Sequence, residues 1–291
     1  MFTEVSKAIL PIALRRLKRR GDLERAALLV ESVDRHWKGS KPFELLIVAP
    51  GRDVAELGKE LPRFPRVDVS VRAESEFFSR LSAFYLMPGW YRQQLIKLMV
   101  PTQLGFAGFL TLDSDVVCVG DFDEATFVRR GRALSRWEPK YWHGWWENAA
   151  NYVGTAYDAG AHGLSVTPNI LHGDLTRQVL EHLAEGGSDP ARVLALTVMR
   201  KMTNVTWTEY SLYTCVAEKR GNLLDYHVHW DECYRDKVHL FSERSCVWGA
   251  EEFERMSVSP GGDPGGKFII VQSHARIPIQ RVRDYCLAFA G

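Results

Sequence analysis

The sequence predicts an α/β protein built round a mainly parallel sheet, and its first half carries the two features that say so. Short apolar runs of strand length alternate there with longer stretches whose apolar residues recur at helical spacing, the order that builds parallel sheets. The 291 residues also contain no internal repeat and no linker, since the one Gly/Pro-rich interruption, Ser259 to Gly266 (SPGGDPGG), stands too near the end to divide domains. A single elaborated domain is expected over 1–291, with a regular half at 1–123 and a less regular one at 124–291.

Taken in order, the chain opens on the apolar run Ala8 to Leu14 (AILPIAL). A helix is expected from Asp22, a residue suited to an N-cap, with Leu23, Ala26, Ala27, Val30, Val33 and Trp37 at helical spacing and Gly39 as its stop. Glu44 to Ala49 (ELLIVA) reads as a strand, and Arg66 to Val71 (RVDVSV) alternates as a half-buried one does. Trp90 to Leu104 is helical, with Tyr91, Leu95, Leu98 and Met99 on one side, and Phe109 to Leu112 (FLTL) is a buried strand. The second half holds an aromatic-rich stretch from Trp137 to Trp146, helical patterns at Leu175 to Ala184 and Glu209 to Arg220, and a late strand, Phe268 to Val271. In such folds ligands collect at the carboxyl ends of the strands.

Composition narrows the function. Lys plus Arg number 37 against 36 Asp plus Glu, a net charge of +1, without the basic excess that phosphate-neutralising nucleic-acid binders carry. No apolar stretch reaches the length of a membrane helix, and no signal-peptide cleavage pattern opens the chain, so a cytoplasmic protein is expected. The five cysteines, Cys118, Cys215, Cys233, Cys246 and Cys286, form no C-x-x-C pair, which speaks against a disulfide framework or thiolate zinc site.

Two Asp-x-Asp patterns follow the FLTL strand. Asp121 and Asp123 lie in GDFDEA, behind Gly120, and read as a solvated turn. Asp113 and Asp115 instead stand between two apolar runs, Phe109 to Leu112 and Val116 to Val119, which carry both charges toward a buried place. Buried carboxylates require cations, and hard oxygen donors suit Mg²⁺ or Mn²⁺.

Residues 90–123, WYRQQLIKLMVPTQLGFAGFLTLDSDVVCVGDFD, resemble the donor-site core of GT-A fold glycosyltransferases, especially the family 8 type, in which a helix with an aromatic-Arg-Gln pattern precedes a Leu-Asp-x-Asp strand end. The rest, including Thr167 to Leu171 and Trp207 to Tyr213, is similar to a bacterial family of uncharacterised glycosyltransferase-like proteins. The resemblance implies a GT-A domain whose 1–123 half binds a nucleotide sugar, a UDP-sugar by analogy, and whose 124–291 half shapes the acceptor side. It implies a metal ion held directly by Asp115, with Asp113 on the ribose or a metal-bound water and Ser114 between them. Pro11, Ile12 and Ala13 would then lie against the base.

The remaining candidates surround that core. Arg92, Gln93, Gln94 and Lys97 precede the acidic pair on the helix: Arg92 and Lys97 could offer donors or positive charge to a diphosphate or a sugar hydroxyl, with Gln93 counted among the donor-site candidates, or the four form a solvated helix face. Glu209, behind a Thr208 N-cap, is the candidate catalytic carboxylate, acting either on the acceptor hydroxyl or beneath the anomeric carbon; the alternative is a first-turn Glu favoured by the helix dipole. The resemblance also implies a metal ligand from a late segment, for which His274 after the late strand is the candidate, the alternative being an exposed or backbone-bonded strand-end histidine; Arg276 could instead meet the diphosphate. Trp142, Trp145 and Trp146, with Trp137, Tyr141 and His143, form either a carbohydrate acceptor groove, to which Thr167 is added, or a packed cluster. Two rival readings remain open: a metal hydrolase centred on His227 and His229, with Asp231 and Glu232 close by, and a catalytically silent nucleotide-sugar or carbohydrate binder.

Overall fold

The computed structural model describes residues 4–15, 18–79, 82–142, 144–164, 167–184, 189–192, 207–235, 246–257 and 266–287. Its main sheet has the order β10-β4-β1-β2-β3, with β1 (Lys7–Pro11), β2 (Phe43–Ala49), β3 (Val67–Ala73) and β4 (Gly108–Thr111) parallel and β10 (Asn169–His172) antiparallel at one edge. The fold is the expected mixed α/β one with a mainly parallel sheet. α1 (Arg19–His36) and α2 (Gly51–Glu60) make the first crossovers, and α3 (Gly89–Gln103) leads into β4. β1, β2 and β4 are buried along almost their whole length, which is why they read as apolar runs rather than alternations.

Past Asp115 the chain changes sheet. β5 (Val116–Cys118) pairs antiparallel with β12 (Phe268–Val271), which pairs parallel with β11 (Cys246–Val247). Asp113 and Asp115 therefore stand at the junction of two sheets. The halves interlock, because β10 joins the sheet of the first half while β5 joins that of the second. Two-stranded pairings, β6 (Val128–Arg129) with β7 (Arg132–Ala133) and β8 (Trp137–Pro139) with β9 (His162–Leu164), lie on the acceptor side.

Helices α4 (Trp145–Val153), α5 (Gly173–Leu183) and α6 (Glu209–Arg220) pack together beside the β10 edge, and α5 also packs on α3. The short α7 (Leu223–Tyr226) and α8 (Trp230–Arg235) follow α6, and α9 (Ala250–Ser257) and α10 (Ile279–Leu287) border the small sheet. α6 is buried for its first nine residues and shows no apolar stripe. It is a core helix rather than a surface one.

One expected boundary moves. α1 begins at Arg19, so Asp22 lies inside its first turn and caps nothing. Instead the Asp22 carboxylate is buried and accepts the Arg15 backbone N–H at 2.9 Å together with the Arg15 guanidinium. That bond ties the segment leaving β1 back onto α1. Asp53 does the same from α2, accepting Leu14 N–H at 3.1 Å.

Candidate functional site

The Lys97 ammonium is the hub of the site. It is buried in the middle of α3, with its Nζ 3.0 Å from Asp113 Oδ1, 2.8 Å from Glu209 Oε1 and 2.9 Å from Thr167 Oγ1. The Glu209 and Thr167 contacts are hydrogen bonds, and the Asp113 contact is an ion pair. Burial alone would lower the Lys97 pKa, but Asp113 and Glu209 outweigh it and hold the group well above the usual lysine range. Lys97 is thus a permanent buried cation, neither a solvated helix residue nor a free donor for a diphosphate.

A directed chain of hydroxyls continues from it. Since Lys97 donates to Thr167 Oγ1, the Thr167 hydroxyl is free to donate to Tyr210 Oη at 2.9 Å. The Tyr210 hydroxyl then donates to Thr111 Oγ1 at 2.6 Å, and Thr111 donates to the Asn169 carbonyl at 3.0 Å. Each hydroxyl gives one hydrogen, so the direction is fixed from Lys97 to the β10 edge. Thr167, expected at the acceptor, is buried inside this network instead.

Glu209 opens α6 behind the expected cap: Thr208 Oγ1 accepts Ser211 N–H at 3.1 Å and Ser211 Oγ accepts Thr208 N–H at 2.9 Å. The cap and the Lys97 bridge together hold the carboxylate in the first turn, where the helix dipole favours it.

The Asp113 side chain, two residues past β4, is 39% exposed, and among the described residues its ion pair is made through Oδ1. Asp115 lies deeper. Its Oδ2 accepts Ser273 N–H at 3.2 Å and its carbonyl accepts Val271 N–H at 3.0 Å, so the late segment docks directly on the acidic pair. Burial, and then the neighbouring Asp113, push the Asp115 carboxyl up to about 6. Arg25, from α1, opposes this; it is itself buried and donates to the Val271 carbonyl at 2.9 Å. Two close carboxylates with mutually unfavourable charge and one open oxygen are a donor set that fits a hard divalent cation. Among the described residues no third His, Cys, Asp or Glu completes a cluster around them. His274 follows Ser273 on the docked segment, but it is exposed and its ring lies 6.1 Å from that of Trp248.

Pro11 and Ile12 are buried and Ala13 half-buried at the carboxyl end of β1, where Ile12 N–H bonds the Val48 carbonyl at 3.0 Å. Ser114 sits in the turn between the two aspartates. Arg92 pairs with buried Glu74 at the end of β3, 3.2 Å apart, rather than lying on a solvated face. Gln93 is half-buried, whereas Gln94 is buried with neither amide atom hydrogen-bonded among the described residues. Asp121 and Asp123 behave as turn residues: Asp121 is exposed and meets His36 Nδ1 at 2.9 Å, and Asp123 accepts from Ala125 and Thr126.

The aromatic stretch divides. Trp146 is buried, its ring packed where Gly163 has no side chain and under the Lys140 ammonium at 5.6 Å, so it belongs to the core and not to a groove. Tyr141 is exposed and Trp145 half-buried. His143 and the Trp142 side chain lie outside the described residues. Nearby, Trp137, His162, His229, Trp230 and Glu218 border a cleft of about 370 Å³ at the far end of α6.

The hydrolase centre does not form. His227 is fully buried, with Nε2 on the Tyr213 hydroxyl and Nδ1 on Ser135 Oγ, both at 2.8 Å, so both ring nitrogens are occupied. His229 is half-buried in the cleft, its Nδ1 accepting Asp231 N–H. Burial, helped by His172, lowers the His227 pKa to about 3, and the ring is neutral.

Sequence reasoning missed Arg25, Thr111 and Tyr210. Arg25 was signalled by a cation among the apolar positions of α1. Thr111 and Tyr210 carry no local signal, because their bonding partners lie 43 to 99 positions away.

Comparison with known proteins bears on fold. A family model described as a family of unknown function, DUF6492, matches residues 3–290. No curated protein matches the chain. Among solved structures it is similar to the apo form of mouse xyloside xylosyltransferase 1, with 17% identity, a TM-score of 0.51, and coverage of 93% of this chain and 99% of that one. A second match, the mannosyltransferase Ktr4p of S. cerevisiae, has 10% identity and a TM-score of 0.44 over 73% of this chain and 65% of the other. The fold is the GT-A-like fold of glycosyltransferases.

Proposed function

The chain belongs to the DUF6492 family, and we propose that it is a metal-dependent glycosyltransferase moving a sugar from a UDP-sugar to a carbohydrate hydroxyl. The observation that carries the proposal is the meeting of Lys97, Asp113 and Glu209, from three separate elements, at the carboxyl end of β4. That is where a mainly parallel sheet collects its ligand. The likeness of fold to a xylosyltransferase supports the reaction class.

Asp113 and Asp115 would hold Mn²⁺ or Mg²⁺, which when bound supplies positive charge against the departing diphosphate. The exposed edge of Asp113 faces the mouth of the crevice, and Asp115 is anchored behind it by Ser273. His274, on the same docked segment, is the proposed further ligand. The carboxyl end of β1, at Pro11 to Ala13, would hold the base through its backbone. Glu209, fixed by Lys97 and the Thr208 cap, is the proposed catalytic carboxylate. It holds negative charge beside the transferred sugar, where positive charge develops, or takes the proton of the acceptor hydroxyl. Tyr141 and Trp145 present aromatic surface on the acceptor side.

A thermal-shift panel of UDP, GDP, CDP and dTDP, with and without MnCl₂, tests the reading. One diphosphate should raise the midpoint in a metal-dependent way, because a ligand selective for the native state stabilises it by mass action. No shift with any of them would contradict it. Release of UDP from a UDP-sugar separates an enzyme from a silent binder.

A further inference from the structure

The cleft at the far end of α6 has the size of a ligand site: its volume of about 370 Å³ falls within the range of about 300–1,000 Å³ typical of pockets that hold small molecules. It is not part of the acidic crevice. Glu218, in its wall, follows Glu209 by two and a half helical turns on α6, so the two carboxylates stand on opposite faces of that helix and about 13.5 Å apart along its axis. The wall is reachable from solvent: Leu224 is 46% exposed, and Glu218, His162, His229 and Trp230 are half-buried.

The chemistry of the wall selects the class of ligand. Both oxygens of Glu218 accept from the Lys140 ammonium, at 2.6 and 2.7 Å, so the carboxylate is compensated within the protein. Burial, and then His229, hold the His162 pKa below the usual histidine value, and its ring adds no charge near neutral pH. Such a wall has no cation to spare for a diphosphate, and among the described residues it forms no cluster suited to a metal ion. Nor is it a purely apolar one. Two imidazoles and a carboxylate stand among Trp137, Trp230 and Leu224, with the His162 ring stacked on Trp230 at 4.0 Å. An acyl chain would take these polar groups out of water and return no hydrogen bond. A sugar ring has both kinds of surface, C–H faces that lie against aromatic rings and hydroxyls that donate and accept. We propose that this cleft binds a neutral carbohydrate, separately from the acidic crevice. The proposal goes beyond the nucleotide-sugar reading and stands without it. A distal unit of a glycan chain and a single free sugar share the chemistry required.

The test is saturation-transfer NMR with tryptophan-fluorescence titration of the full chain, using the methyl glycosides of glucose, galactose, mannose, xylose and N-acetylglucosamine and the linear tetrasaccharides of the same sugars. At least one should bind wild type without MnCl₂ or UDP, and should bind Asp115→Ala equally well. Affinity rising with chain length would identify a glycan as the ligand, and equal affinity a single sugar. Trp230→Ala and Leu224→Arg should each weaken that binding about tenfold or more and leave UDP affinity in MnCl₂ within about twofold. Leu224→Arg alters an exposed position and decides the matter should Trp230→Ala fold poorly. Absence of binding by every sugar, or binding unchanged in Leu224→Arg, would overturn the proposal. Loss of binding in Asp115→Ala would also overturn it, by placing the sugar in the acidic crevice, and tighter binding of decanoate than of any sugar would assign the cleft to an acyl chain instead. Failure of wild type to bind UDP would contradict the nucleotide-sugar reading and leave this proposal standing.

Discussion

At the scale of single residues, Lys97 decides the character of the site. Breaking a buried charge pair leaves an uncompensated charge inside, so Lys97→Met should lower unfolding stability by about 3 kcal/mol, and adding Glu209→Gln should recover part of that loss. Urea unfolding of the single and double variants measures both. Strict additivity would mean that the two groups do not interact. Glu209→Gln alone should leave donor affinity intact and reduce turnover by about a hundredfold, as loss of a positioned acid/base group does; near-normal turnover would return Glu209 to the role of a first-turn helix residue. The difference in burial between Asp115 and the exposed Asp121 was legible in sequence, because apolar runs flank the first pair while Gly120 frees a turn at the second. The buried bridging role of Lys97 was not legible. It depends on partners 70 and 112 positions away, which no local pattern encodes.

At the scale of elements, α6 is the piece that joins fold to site. Its Thr208 cap, its start at Glu209 and its end at Arg220 were readable, because a capping residue, a helical spacing and Gly221 agree. Thr208→Ala should cost about 1 kcal/mol of stability, typical of a lost N-cap, and should lower turnover as well because the same bond positions Glu209. A variant that loses stability with unchanged turnover would separate the cap from the site. Helix α2 went unread, since GRDVAELGKE offers only Val54, Ala55 and Leu57 as apolar positions and two glycines that argue against a helix. The choice between groove and packed cluster for Trp146 was open in the sequence for another reason: the feature that buries it is the absent side chain of Gly163, on β9.

At the scale of the whole molecule, neutral buried His227 links α6 to the segment between β7 and β8, through the Tyr213 hydroxyl and Ser135 Oγ. His227 has a folded pKa near 3, below the unfolded value of about 6.5. Below pH 6.5 the unfolded chain takes up a proton that the native state refuses, so stability falls with pH, by about 1.4 kcal/mol per unit for this group, until the folded pKa is reached. Unfolding free energies measured between pH 6 and 4 should show that slope, and His227→Gln should flatten it by about one proton; an unaltered slope would place the acid sensitivity elsewhere. The central claim, that the sheet junction at Asp113 and Asp115 holds a metal-dependent nucleotide site, is tested most directly by calorimetric titration of UDP in MnCl₂ into wild type, Asp115→Ala and Asp121→Ala. Wild type and Asp121→Ala should bind alike and only with metal, and Asp115→Ala should not bind. Equal affinities in all three proteins, or binding indifferent to Mn²⁺, would contradict it.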